Sequence, residues 1–558
     1  MTKSRWFPAT VYYSGDGYST AGPKLMGRQA AGQGFLRAYV QACQEQSLAA
    51  SAWISPPLQQ LATAAMYGFK QAGLKSSLEL VSSANMDAMS QSGCLYVPQP
   101  GLAELASQRI RLGERKFSLC GITHTTASHS VMTTLAQLPL VPLRPWDALI
   151  CSSTAVVQCV QQLVGQQFEY LKWKLGATRI ELPQLPVIPL GVHVSDYEFS
   201  RDQKESARQQ LGLGENDVAI LFVGRLSFHA KAHPHPMLAA LQNVARKTSK
   251  KIHLIQAGWF ANDAIGAAFK EAGQVLAPDV HHHFLDGRDT QQRNTAWACA
   301  DIFCSFADNI QETFGLTPIE AMAASLPVVV SDWDGYKDTV RHEIDGFRIR
   351  TCIPVAGDGN ELAALYERGL DNYDIYCGKV CEFVSVDIAQ ATQSFQALVD
   401  NADLRIRMGQ AAHERAVQEY GWRHILQRYQ QLWHELSEMR LAPALHPQSV
   451  NPLKTAVDRP DPYELFSRYA SKVVDDQTRM HLEQRVDENE FLKIVGLAVH
   501  KYATPVLPDW AQAGAIFQKL AVADASVEEL VEGLNSLQKS RLRRHLLWMM
   551  KVGWLSIV

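Results

Sequence analysis

Two successive series of short apolar runs, each run followed by a loop or a helical pattern, constrain this chain more than any other feature. The first series includes ATVYYS, LCGIT, DALICSS and LPVIPLGV, with the helical run FLRAYVQACQ following a Gly-containing loop. The second begins after SARQQLGLGEND and continues through VAILFVG, KIHLIQAG, VHHHFLDG, ADIFCSF and PVVVSD. Strands that alternate with helices bury both faces of a parallel sheet beneath those helices. Two series therefore predict two Rossmann-like, doubly wound α/β domains, and 558 residues are too many for a single core. From Ser385 to Met439 the pattern turns helical. The Pro-interrupted stretch APALHPQSVNPLKTAVDRPDP then precedes a region without a strand series, for which a small, mainly helical domain is expected. The expected boundaries are 1–205, 206–440 and 441–558.

Composition excludes several function classes. With 47% hydrophobic residues, 20% charged residues and a formal net charge of -3, nothing points to nucleic acid. The amino end lacks the apolar run of a signal peptide, and no segment reaches the roughly 18 to 20 apolar residues of a membrane span, so a cytoplasmic protein is expected. The ten cysteines are scattered, and Cys377 and Cys381 lack metal-site partners, which favours reduced structural thiols. His281, His282 and His283 invite a metal reading, but neighbours on a strand point to opposite faces, so a partly exposed strand end is expected instead.

The stretch QETFGLTPIEAM, from Gln311 to Met322, sets Glu312 and Glu320 on either side of a Gly turn and a helix start. Thr317 is the expected N-cap, Pro318 suits the first helical position, and Glu320 falls where a capping-box carboxylate sits. Gly315 allows close approach of the backbone to a ligand, and the free N–H groups of the first helical turn form an anion site. Upstream, ILFVGRLSFHAK places Arg225 and Lys231 just beyond a buried strand, where ligands of open α/β sheets bind. Two cations and a helix amino end could hold a diphosphate; the competing reading pairs each cation with a neighbouring acid at the surface.

Taken together, VIPLGVHVSDYEF, FVGRLSFHAK, ADIFCSFADNIQETFGLTPIEAMAASLPVVVSDWDGYKDTVRHEIDGF and WRHILQRYQQLW resemble the retaining glycosyltransferases of family 4, which have the GT-B fold. The likeness is strongest between Gly224 and Phe347. It implies a UDP-, GDP- or ADP-linked sugar donor held in a cleft between two Rossmann-like domains, with no metal and no further cofactor. Arg225 and Lys231 would neutralise the diphosphate, fixed charges standing where other transferases use a metal. Glu312 would contact hydroxyls of the transferred sugar, Glu320 the ribose, and the backbone of Phe314, Gly315, Leu316 and Thr317 the middle of the donor. His124 in CGITHTTAS matches the family histidine near the donor sugar, with His129 as a competing assignment. The resemblance also implies that a Gly-rich loop, here GRQAAGQGF with Gly27, Gly32 and Gly34, reaches the diphosphate from the opposite domain. Arg288, beside Asp286 and Gly287, is a candidate contact to the base. No nucleophile is named, because the two-carboxylate scheme of glycoside hydrolysis needs acids flanking the scissile bond.

Three departures from the family pattern stand out. Ser325 replaces the usual Gly after the EAMA helix, and a left-handed Ser costs on the order of 1 kcal/mol, so the helix is expected to end differently. CSFAD stands where many members have a Pro-Ser pair, and residues 357–386 form an unusual insertion that could alter the cleft or its acceptor side. The tail LQKSRLRRHLLWMMKVGWLSIV combines basic and apolar residues. It could lie on an anionic membrane at the inner face, which would suit a lipid-linked acceptor. The favoured alternative is the core of a small domain used for assembly, including self-association. The expected activity is transfer of a sugar to a glycan, lipid-linked or small-molecule acceptor. The rival readings are a non-catalytic GT-B binding or assembly protein and a nucleotide-sugar epimerase.

Overall fold

The computed structural model describes residues 5–19, 27–443 and 455–558. They divide into two compact units, within Met1–Ala456 and within Val457–Val558. Most of the Pro-containing linker expected between them, 444–454, lies outside the described residues.

The first unit holds two six-stranded sheets in which every pairing is parallel. The first comprises β1 (Thr10–Tyr12), β2 (Ser51–Ile54), β3 (Glu79–Ser82), β4 (Cys94–Val97), β5 (Ser118–Ile122) and β6 (Ala148–Ile150), in the order β3-β2-β1-β4-β5-β6. The second comprises β7 (Val218–Val223), β8 (Ile252–Gly258), β9 (His281–Asp286), β10 (Ile302–Ser305), β11 (Val328–Ser331) and β12 (Gly346–Ile349), in the order β12-β11-β10-β7-β8-β9. Each order reverses once, between β1 and β4 and between β7 and β10. Ligands of doubly wound sheets bind beyond the strand ends at such a reversal. The two doubly wound domains are those the two apolar series predict.

Nine helices carry the description that follows. They are α1 (Gly27–Glu45), α2 (His129–Ala136), α3 (Thr154–Leu175), α4 (His235–Ala245), α5 (Leu316–Ala323), α6 (Asn360–Glu367), α7 (Tyr373–Cys381), α8 (Trp422–Leu441) and α9 (Ser536–Lys551). The late helix α8 follows the second domain in sequence but packs on the first sheet. Its Tyr429 and Trp433 join Phe7, Phe35 and Tyr96 in one aromatic cluster.

Several expectations are corrected. GRQAAGQGF is not a loop but the start of α1, and Gly32 and Gly34 serve packing, while Gly27 faces open space. A Cβ at Gly32 would lie 1.9 Å from the Gly17 carbonyl oxygen, and one at Gly34 would lie 2.7 Å from the Trp422 indole nitrogen. LPVIPLGV is extended without becoming a strand, touching the sheet at a bridge between Val187 and Cys151, because Pro186 and Pro189 cannot donate to a ladder. The histidine triplet opens edge strand β9. His281 and His283 stack on buried His253 from β8, while His282 turns away to bond the Ala277 carbonyl.

The second unit contains a three-stranded antiparallel sheet that the sequence does not announce, β14-β13-β15, where β13 is Arg479–Leu482, β14 Ala525–Ser526 and β15 Leu555–Ile557. Helices make up most of the rest. Part of the apolar face of α9 belongs to the core: Leu546, Trp548 and Met549 are buried with Phe491, Phe517 and Trp554, while Leu537 and Leu547 are exposed. Among the described residues, no helix is long and apolar enough to cross a membrane.

Candidate active site

The site is built where the second sheet reverses. Strand β7 is buried along its whole length and delivers Gly224 and Arg225 at its carboxyl end; β10 delivers the loop from Phe306 to Phe314 beside it. Arg225 donates to the Ala230 carbonyl at 2.6 Å and to Gln311 Oε1 at 3.4 Å. Burial pulls its pKa down, partly offset by Asp374 on α7. Lys231 forms an ion pair with Glu312, their side chains 20% and 14% exposed. Burial disfavours both charges, yet each partner stabilises the other. The Lys231 ammonium is held above its ordinary value, and Glu312, which also accepts backbone N–H bonds from Thr313 and Phe314, is held below its own. A pair of this kind keeps one cation and one acceptor-only carboxylate fixed side by side.

Helix α5 begins two residues earlier than the sequence suggests. Its N-cap is Gly315 at φ 83, with no side chain capping it. Thr317 and Pro318 are the second and third helical residues, so the expected Thr317 cap and the Glu320 capping box are absent. Only glycine fits the cap position, since a Cβ there would lie 2.0 Å from the Tyr336 ring. The amides of Leu316 and Thr317 therefore open an uncapped helix amino end beside Arg225 and the Lys231–Glu312 pair. Glu320 lies a turn further on. Its carboxyl is raised by burial and accepts a hydrogen bond from the Tyr197 hydroxyl, with Arg293 nearby.

From the first domain, the segment after β5 meets this cluster. The Thr313 hydroxyl donates to the His124 carbonyl at 3.1 Å, so His124 stands one residue from Glu312 across the crevice. Burial, then the Arg28 charge, push the His124 imidazole down to about 4, while a bond to the Pro98 carbonyl opposes them; the ring is neutral at physiological pH. His129, the competing assignment, opens α2 and donates its backbone N–H to the Tyr366 hydroxyl at 2.7 Å. Arg288 is occupied elsewhere, its guanidinium bound to Asp286 at 2.8 and 2.9 Å and exposed. Gly32 and Gly34 lie within α1, packed as described above.

Sequence reasoning missed several residues that complete the site: Gln311, which receives Arg225, Tyr336 under Gly315, Tyr197 on Glu320, and Tyr373, whose hydroxyl lies 3.3 Å from Gln311 and 3.4 Å from Thr125. Asp334 and Asp338 were missed as well. Asp334–Gly335 reads in sequence as a turn dipeptide, a signal for backbone geometry and not for what the carboxyl meets. The 357–386 insertion folds as α6 and α7, and through Tyr366 and Tyr373 it touches both sides of the crevice.

Residues 203–357 match the family model described as Glycosyl transferases group 1. A phosphatidyl-myo-inositol mannosyltransferase of Mycobacterium leprae is 28% identical over 273 residues, 48% of this chain and 62% of that protein. An alpha-maltose-1-phosphate synthase of Mycolicibacterium smegmatis is 24% identical over 378 residues, 65% of this chain and 83% of that protein. The chain thus spans under two thirds of the length of the mannosyltransferase. The crystal structure of Anabaena Alr3699/HepE in complex with UDP aligns with a TM-score of 0.48 at 16% identity, covering 76% of this chain and 99% of that one. The segment of this chain that matches the group 1 glycosyl transferases, residues 203–357, forms most of the second of its two doubly wound parallel domains.

Proposed function

We propose that the protein is a retaining, metal-independent glycosyltransferase that moves a sugar from a nucleotide-sugar donor to a glycan, lipid-linked or small-molecule acceptor. The observation that carries this reading is the uncapped amino end of α5 beside Arg225 and the Lys231–Glu312 pair at the reversal of the second sheet. A diphosphate there would meet two fixed cations and free amides. That is the set needed to stabilise the charge that develops on a leaving phosphate. Glu312, held ionised by Lys231 and two amides, is suited to accept hydrogen bonds from sugar hydroxyls and not to donate a proton. Neutral His124 would hold the sugar from the opposite domain, and Glu320 with Tyr197 would hold the ribose. The acceptor hydroxyl would attack on the face the diphosphate leaves, its proton passing to the departing phosphate oxygen. The names of the relatives, a phosphatidyl-myo-inositol mannosyltransferase and an alpha-maltose-1-phosphate synthase, are consistent with the breadth of the acceptor class stated.

The test is a thermal-shift screen with UDP-, GDP- and ADP-sugars, followed by turnover with the donor that binds. Arg225→Ala is expected to weaken donor affinity at least tenfold, and Glu312→Ala to lower kcat on the order of 100-fold, the range seen when one transition-state contact is removed. Turnover should survive EDTA, and proton NMR of the first-formed product should show the donor's anomeric configuration. Unchanged binding and turnover after charge removal at both Arg225 and Lys231 would overturn the proposal.

A further inference from the structure

Asp334 combines three features that nothing in the donor contacts requires. It is a non-glycine residue at φ 41, a left-handed backbone conformation that costs energy unless something holds it there. Its carboxyl is partly buried at the crevice, where burial and then the charge of Glu312 push it up to about 7, opposed by the Ser153 hydroxyl and the Gly335 N–H. And its bond to another side chain crosses between domains, Ser153 Oγ donating to Asp334 Oδ1 at 2.9 Å.

The bond is the middle one of three. Ser152, Ser153 and Thr154 end the turn from β6 into α3. Ser152 Oγ donates to the Thr313 carbonyl at 3.1 Å, and the Thr154 N–H donates to Asp338 Oδ2 at 2.7 Å. Ser153 itself caps α3, its Oγ accepting from the Val156 N–H at 3.3 Å. On the other side the Asp334 loop rides on the donor motif: a Cβ at Gly335 would lie 2.4 Å from Cα of Phe314. A displacement of α3 is therefore transmitted through Asp334 and Gly335 to Phe314, two residues from Glu312. The Thr313 hydroxyl, bound to the His124 carbonyl, lies between the two.

We infer that Asp334 is a positioning residue for transfer: bound to Ser153, it latches the amino end of α3 onto the second domain and sets the register of His124 against Glu312. This rests on the glycosyltransferase reading above and adds to it a residue outside the donor contacts. A residue kept only for its loop would be improved by glycine, which adopts φ 41 without strain. The latch reading demands the opposite for activity.

Three variants decide between them. Asp334→Gly relieves the backbone and removes the latch. Asp334→Asn keeps an oxygen for the Ser153 hydroxyl. Ser153→Thr keeps both the hydroxyl and the cap. Each would be compared with wild type by thermal melting, by hydrogen exchange of the peptide covering Ser152–Val157, by UDP, GDP and ADP affinity, and by release of the nucleotide diphosphate from UDP-, GDP- and ADP-linked sugars. For Asp334→Gly we expect a melting temperature no lower than wild type, at least fivefold faster exchange at Thr154 and Val156, and unchanged nucleotide affinity. Its kcat should fall at least tenfold with little change in donor KM. Asp334→Asn and Ser153→Thr should stay within about threefold of wild type in kcat. Wild-type kcat and exchange in Asp334→Gly would overturn the latch while leaving the glycosyltransferase reading intact. A wild type that binds none of UDP, GDP and ADP and releases none of them from the sugar donors would overturn both.

Discussion

Ser325 shows how far a single residue can be read. Its left-handed φ of 61 lies just past α5, its N–H bonding the Met322 carbonyl and the Leu326 N–H bonding the Ala321 carbonyl, which is the Schellman pattern. The sequence expectation that serine would force a different ending is wrong; the motif is kept and serine bears its strain. The position is exposed, so Ser325→Gly should raise stability by about 1 kcal/mol, read as a higher urea midpoint for the transition that includes the second sheet. Asp308 offers a pH-dependent counterpart. It is 2% exposed and accepts the His233 N–H; burial pushes its carboxyl from 3.8 to about 7. The folded protein therefore keeps a proton there that the unfolded chain has released, and the stability this contributes is full below pH 4 and lost as pH rises through 7. Melting temperatures of wild type relative to Asp308→Asn should fall between pH 4 and 7 and level off above. A flat difference would show that the carboxyl is not held protonated. The partner of Asp308 could not have been found in sequence, because His233 lies far from it along the chain and its main-chain N–H makes the bond.

At the scale of elements, legibility followed the local run and not strand length. The six- and seven-residue strands β7, β8 and β9 stand out as apolar or β-prone runs, and so do the four-residue β10 and β11, whereas β2, β3 and β4, also of four residues, were not read from the sequence. GRQAAGQGF was misread because glycine signals a loop locally, whereas here the missing side chains let α1 press against Gly17 and Trp422. That Arg225, Lys231 and Glu312 come together was legible because a strand end, a glycine and a helix start are all sequence-local features. Tyr373, which bonds Gln311, and Ser153, which bonds Asp334, were not, since they reach the cluster only through the tertiary fold. The insertion carries its own expectation. The Tyr373 hydroxyl joins Thr125 of one domain to Gln311 of the other, and Tyr366 receives the His129 amide. Removing one such bond is worth about 1 kcal/mol, roughly fivefold. Tyr373→Phe should therefore lower kcat/KM by about that factor with the melting temperature unchanged; equal kinetics would show that α7 stands beside the crevice without acting on it.

For the whole molecule, every candidate donor and transfer residue lies within the first unit, while the second unit has a core of its own. The basic, apolar pattern of α9 suits either a membrane surface or such a core, and burial decides between them. Leu546 and Met549 are fully enclosed, and Trp548 packs edge-on against Trp554 at 5.4 Å, so these side chains are unavailable to a lipid interface while the unit is folded. A buried leucine replaced by alanine costs about 2–5 kcal/mol. Leu546→Ala should accordingly lower the melting transition of the second unit markedly and leave the nucleotide-induced shift of the first unit in place. Were α9 a surface helix, the same substitution would leave both transitions where they are and change only adsorption to anionic vesicles. A loss of nucleotide response together with the second unit's transition would mean that the two units fold as one cooperative body, against the division of the chain at Val457.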